Sequence, residues 1–287
     1  MELSVNHVTT FEYEGWVRDS INEVRLCPRT DALQSTLDFR LVTEPESEPR
    51  SYQDCYANIV HSFDIPDPHT RLVIAATSNV ITQPVNVPLD LELEDRYVAM
   101  RIEDADDLID FLQPTHRADF ARNIVQLARA ARDAGPADRL GPLVRRLSAM
   151  LNAQLDYEPG TTDVGTVAGA ALTAGHGVCQ DYTHIMLAAL RILGVPARYT
   201  SGYFSSSNAT GEVGEQASHA WVEAWFPSRG WLGIDPTNDR VVDEAYIRVA
   251  YGRDYSDISP VRGSYRGAET SAMAVGVSVL TGWQQQQ

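Results

Sequence analysis

The stretch QDYTHIMLAALRIL, Gln180 to Leu193, constrains the fold more than any other part of the chain. Only Gln180, Asp181, Thr183, His184 and Arg191 are clearly polar, so a helix here is apolar on nearly every side. Such a helix belongs in the middle of a domain, with other elements packed around it. Gly194-Val195-Pro196 ends it, because glycine takes the left-handed closing position and proline cannot continue. Gly175 and Gly177 free the backbone just before Cys179, which places that cysteine near the helix N-terminus. Unpaired N–H groups and the positive end of the helix dipole stabilise a thiolate there. The same amides can hold the oxyanion formed when sulfur attacks a carbonyl. Two other readings exist. Free cysteines often serve as small buried hydrophobes, and His176, Cys179 and His184 are close enough in sequence to suggest zinc. At ~100° per residue, however, His184 lies roughly 140° around the helix from Cys179, so only His176 could join it.

The rest of the chain reads as two domains, the natural expectation for 287 residues. Residues 1–100 are β-rich. In Leu3 to Tyr13 the odd positions (Leu3, Val5, His7, Thr9, Phe11, Tyr13) form one face of a half-buried strand. Further strands are expected at Ile21–Leu26, Thr36–Thr43, Ala57–Ile65, Arg71–Thr82 and Asn86–Leu93, punctuated by prolines. His7, His61 and His69 share no metal spacing and read as surface or strand-edge histidines. Residues 101–287 form the second domain. Arg101 to Leu112 is acidic, a short helix or linker; Phe120 to Arg132 and Gly141 to Leu155 carry apolar residues at helical spacing. After the central helix come strands at Ala197–Phe204, Ser218–Phe226, Trp231–Asp235 and Ala272–Leu280.

A cysteine nucleophile wants a histidine, and the histidine wants an acceptor on its other nitrogen. The stretch SHAWVEAWFPSRGWLGIDPTN supplies both. His219, Trp221, Glu223 and Trp225 face one side of a strand; Ala220, Val222, Ala224 and Phe226 face the other. The turn Pro227–Gly230 suits a hairpin that lays Asp235 near His219. Weaker candidates surround these three. Gln180 could hydrogen-bond near the site, Asp181 could cap the helix or be purely structural, and Asn238 could hold the Asp235 turn. Tyr157 could donate to an oxyanion. Trp221, Trp225 and Trp231 read as core aromatics, with groove walls as the alternative.

These blocks, with GVCQDYTHIMLAALRILGVPARYTSGY before them, resemble the core of the transglutaminase-like superfamily. The resemblance implies a papain-like α+β core, its Cys-bearing helix packed on an antiparallel sheet. It carries the nucleophile onto Cys179, the base onto His219 and the orienting acid onto Asp235. NEVRLCPR and DCYANIVHSFDI resemble the separate N-terminal β-domain of bacterial members, implying a β-sandwich-like fold, and GRDYSDISPVRGSYRG resembles their tail block. Cys55 and Ala57 depart from that pattern, standing where bulkier residues or glycine are usual. The implied activity is acyl transfer on amides, with hydrolysis of peptide or isopeptide-like bonds expected ahead of amine transfer. A non-catalytic module on the same fold is the contrasting class.

Charge narrows the partners. A net charge of −16 argues against nucleic acid or an anionic membrane surface, since phosphate binding needs clustered Lys and Arg. The expected partner is a peptide or protein amide substrate. No calcium loop of the D-x-D-x-D-G kind appears, and no metal or cofactor is expected. The start lacks the pattern of a signal peptide and no run reaches the ~18 apolar residues of a span. Three widely spaced cysteines make a poor disulfide framework, so a reducing cytoplasm is the expected home.

Overall fold

The computed structural model describes residues 1–85, 95–100, 106–135, 138–205 and 218–282. The strand expected at Asn86–Leu93 lies outside them. Five strands open the chain: β1 (Glu2–Val24), β2 (Gln34–Glu44), β3 (Arg50–Gln53), β4 (Ile59–Ile65) and β5 (His69–Thr82). The two strands expected at Leu3–Tyr13 and Ile21–Leu26 are one, because pairing resumes after an irregularity between Glu12 and Val17. β5 and then β4 run antiparallel along one side of β1. Side chains from both halves of this curled sheet, among them Tyr13, Val17, Val24, Phe63, Leu72 and Ile74, meet in one apolar cluster. One curled sheet packing its two halves together supplies the sandwich-like character. Ala57, which departs from the family pattern, takes the left-handed backbone (φ 57°) in a turn that the Asp54 carboxylate braces at Tyr56 N and Asn58 N.

The core follows as α1 (Arg122–Asp133), α2 (Leu140–Gln154), β6 (Asp156–Tyr157), α3 (Ala168–Ala174), β7 (His176–Gly177) and α4 (Cys179–Ile192). Its antiparallel sheet comprises β8 (Ala197–Phe204), β9 (Ser218–Phe226), β10 (Gly230–Asp235), β11 (Arg240–Val241) and β12 (Tyr246–Gly252), in the order β11-β10-β9-β8-β12. Every residue of α4 from Asp181 to Arg191 is buried, as its all-round apolar sequence demands. Even Arg191 is enclosed, its guanidinium donating to the carbonyls of Gln113, Ala197 and Arg253. Gly194 closes the helix at φ 72°, where an added Cβ would lie 2.9 Å from Ala99 Cβ. No described helix is long and apolar enough to cross a membrane.

The last strands leave the α/β core. β13 (Val261–Gly267) and β14 (Ser271–Thr281) return to the N-terminal sheet and pair with β1 on its free side. Their signal resembles any other strand's; alternation says that a segment is extended, not which sheet it joins. Along one face of β1, Leu3 and Val5 pack into the α/β core, while Tyr13 and Val17 enter the sheet's own core. His7 and Thr9 stand between, facing a cavity.

Candidate active site

Cys179 is the first residue of α4, and the turn before it is built around Asp181. The Asp181 carboxylate accepts Val178 N at 2.8 Å and the Thr162 hydroxyl at 2.7 Å, so this acid caps the helix start. A Cβ on Gly177 would meet that carboxylate at 2.7 Å, which explains the glycine. Thr183 ties the first turn by donating to the Cys179 carbonyl at 2.7 Å. Of the three free thiols Cys27 is buried and Cys55 exposed; Cys179 is half-buried, opening into the cavity.

The expected hairpin of β9 and β10 forms, pairing Val222 with Ile234 and bringing the strand ends together. His219 Nε2 and Asp235 Oδ2 are 2.7 Å apart. The ring faces the same cavity as the Cys179 thiol. Burial works against a charged ring, but the Asp235 carboxylate bonded to it and the neighbouring Cys179 outweigh it and lift His219 to about 10. Asp235 has no exposed surface. Its Oδ2 also accepts the Tyr246 hydroxyl and Asn238 Nδ2, each at 2.7 Å, and its Oδ1 accepts Thr237 N at 2.9 Å and Asn238 N at 3.3 Å. Burial disfavours this carboxylate, yet the His219 and neutral donors hold it below its ordinary range.

The structure thus brings Cys179, His219 and Asp235 to one place. Gln180 lines the same cavity, and Asn238 braces Asp235. Tyr157 is half-exposed on β6 and does not line the cavity. Trp221 is buried behind the His219 ring, whereas Trp225 and Trp231 pack edge to face on each other. His184 is fully buried, accepting Tyr255 N, and His176 is partly exposed near Glu158, so neither joins Cys179. Among the described residues no group of three His, Cys, Asp or Glu converges as a metal set.

Two features escaped the sequence reading. Tyr246 sits on β12, which was not anticipated, although YIRVAYG is a short β-prone run. His7, expected at a surface or edge, is 3% exposed. Its place in the inward parity of β1, between Val5 and Thr9, was the signal.

A profile of the transglutaminase-like superfamily matches residues 115–236, and one of the bacterial transglutaminase-like N-terminal region matches residues 3–81. An uncharacterized protein of Mycobacterium leprae is 34% identical over 280 residues, covering 96% of this chain and 98% of its own. The chain belongs to the transglutaminase-like superfamily. Another transglutaminase-like relative is the protein-glutamine gamma-glutamyltransferase of Pseudomonas aeruginosa, 31% identical over 165 residues, which are 54% of this chain and 24% of that protein. The crystal structure of a candidate cysteine protease from Cytophaga hutchinsonii superposes with a TM-score of 0.77 at 22% identity, covering 99% of this chain and 92% of the other. That likeness shows a shared fold over the whole chain, returning strands included.

Proposed function

We propose that this protein is a cysteine-nucleophile enzyme that hydrolyses peptide or isopeptide-like amides. The observation that carries the reading is the Asp235–His219 pair at 2.7 Å, which opens to the same cavity as Cys179 at its helix N-terminus. Cys179 gives its thiol proton to His219 and its sulfur attacks the amide carbonyl carbon, and the oxyanion is met by the Cys179 N–H, which has no acceptor within its own helix. His219 gives its proton to the nitrogen as the C–N bond breaks, leaving a thioester. Water then loses a proton to His219, attacks the thioester and releases the acid and the thiol. Asp235 keeps the imidazole turned to the sulfur throughout.

A second reading, amine transfer, is favoured by the local likeness to the Pseudomonas aeruginosa gamma-glutamyltransferase. Against it, a cationic acceptor calls for a carboxylate, and no described Asp or Glu lines the cavity. Glu223, four residues beyond His219 on the same strand, is buried between Arg198 and Arg248. The test supplies a glutamine or peptide-amide donor with excess primary amine and follows products by mass spectrometry. Hydrolysed product, lost in Cys179→Ala, is the expected result; a predominance of amine adduct at millimolar amine overturns hydrolysis. Absence of any product, with no labelling of Cys179 by a thiol electrophile, returns the chain to the non-catalytic class.

A further inference from the structure

The cavity beside Cys179 has a volume of about 390 Å³ and is shared by the two halves of the molecule. Cys179, Gln180, Tyr199, Tyr203 and His219 line it from the core. The curled sheet faces them with His7, Thr9, Leu26, Val261, Met273 and Val275. The last two are brought there by the returning strand, which pairs Val275 with Thr9 and Met273 with Phe11. This volume is at the low end of the ~300–1,000 Å³ range of ligand pockets, so it suits one or two residues of a peptide.

Its walls carry little charge. The polar part is a hydrogen-bonded row: the Tyr203 hydroxyl lies 3.0 Å from His7 Nδ1, and His7 Nε2 lies 3.2 Å from the Thr9 hydroxyl. Burial pulls His7 down to about 4, so its ring is neutral at pH 7. Arg25 also lines the cavity, but its guanidinium is 3.3 Å from Asp54 and 3.9 Å from Glu23. Gln180, Ser201 and Ser218 add neutral polar groups, and the remainder is mainly aliphatic or aromatic, with Leu26, Val249, Val261 and Val275 prominent. A charged side chain entering such a space would lose its hydration without gaining a counter-charge.

We propose that this cavity is the subsite for the residue next to the scissile amide, that the N-terminal sheet is its far wall, and that it takes apolar or neutral side chains and refuses charged ones. The assignment rests on Cys179 being the nucleophile. It also gives the N-terminal domain a part in substrate choice.

The test uses the full chain and three peptidyl acyloxymethyl ketones that differ only in carrying Leu, Glu or Lys beside the reactive carbonyl. Iodoacetamide, which has no side chain, is the control, and labelling of Cys179 is followed site by site by mass spectrometry. The Leu probe is expected to react roughly tenfold or more faster than the Glu and Lys probes. Val275→Asp should move preference toward the Lys probe. Met273→Asp, at a position 60% exposed, should do so more weakly and provides a variant that leaves the core untouched. Equal rates for the three peptidyl probes overturn the subsite while leaving the nucleophile in place. A preference for Glu overturns it too, making Arg25 the recogniser. If iodoacetamide labels Cys179 no faster than Cys27 and Cys55, the nucleophile fails, and the subsite with it.

Discussion

His219 and Glu223 stand four residues apart on the same face of β9, both enclosed beside groups of opposite charge, yet they are left in different states. Glu223 is closed off. Its Oε2 takes Arg198 Nε at 2.8 Å and Nη2 at 2.5 Å, and its Oε1 takes Arg248 Nε at 2.7 Å. Burial opposes its charge, but the two guanidinium groups hold its carboxyl down to about 2. His219 is fixed by Asp235 on one side and opens to the cavity on the other. The contrast separates a charge cluster that fastens a sheet from one that is poised at a cavity: what matters is the valence left unspent, not the burial.

The largest expected effects break this contrast in opposite directions. Cys179→Ala should lower turnover by at least ~10⁴-fold while the urea midpoint barely moves, since the thiol is half-exposed. Glu223→Ala strands two guanidinium groups, on side chains 12% and 9% exposed, without their counter-ion. It should cost about 3–5 kcal/mol in urea unfolding. Equal stability losses in the two variants would show that the two ends of β9 are not differently built.

Asp235→Asn comes next. Sequence reasoning expects the fold to survive and only the imidazole to be misoriented, with a loss on the order of 10⁴-fold. The five donors around Asp235 change the expectation, because an amide NH₂ meets a donor on either side. Stability should therefore fall as well, by about 1–3 kcal/mol. A variant with wild-type rates would move the orienting role elsewhere. Asp239, bound to Arg145 and Ser148, and Asp243, bound to Arg240, are already engaged.

The pH dependence of stability distinguishes the clusters without mutation, and its sign follows from the shifts. His219 is raised from 6.5 to about 10, so its contribution is complete below pH 6.5 and is lost as pH rises through about 10. Glu223 is lowered from 4.5 to about 2, so its contribution is present above pH 4.5 and is lost as pH falls through about 2. Urea midpoints across pH 2–10 should show both limbs. His219→Gln should flatten the alkaline limb and, by releasing Asp235, also soften the acid one, whereas Glu223→Gln should weaken the acid limb and leave the alkaline limb in place; an alkaline limb that survives His219→Gln, or is lost in Glu223→Gln, contradicts the assignment.

Much of this was legible in residues. The all-round apolar helix, the glycines before Cys179 and the hairpin Pro227–Gly230 each report a local requirement, and local requirements are written locally. Helix starts fell within two residues: Phe120 was expected and Arg122 observed, Gly141 expected and Leu140 observed. What stayed hidden depends on pairing across the chain. Nothing in Ala272–Leu280 says that its partner is Leu3–Tyr13, and nothing in His7 says that Tyr203, 196 positions away, completes its hydrogen bond. Glu223 was visible as an acid near the site, but the two arginines that neutralise it come from β8 and β12.

The smallest expected effect concerns how Asp235 is held. Glu223 is satisfied by cations, whereas Asp235 is satisfied, apart from His219, by neutral donors. Neutral donors fix a carboxylate without cancelling its charge, and the charge remains available to stabilise the imidazolium. Tyr246→Phe removes one of these donors and leaves the ring packed on Phe204 and Trp221, at 4.5 and 5.3 Å between centroids. Stability should fall by about 1 kcal/mol. Asp235, with one donor fewer, becomes the stronger acceptor for His219 Nε2. The alkaline limb should then move to higher pH, while turnover drops several-fold because the carboxylate is less firmly aimed. NMR titration of the His219 ring gives the limb directly. A shift to lower pH would mean that the Tyr246 hydroxyl supports the imidazolium itself; an unmoved limb would reduce Tyr246 to packing.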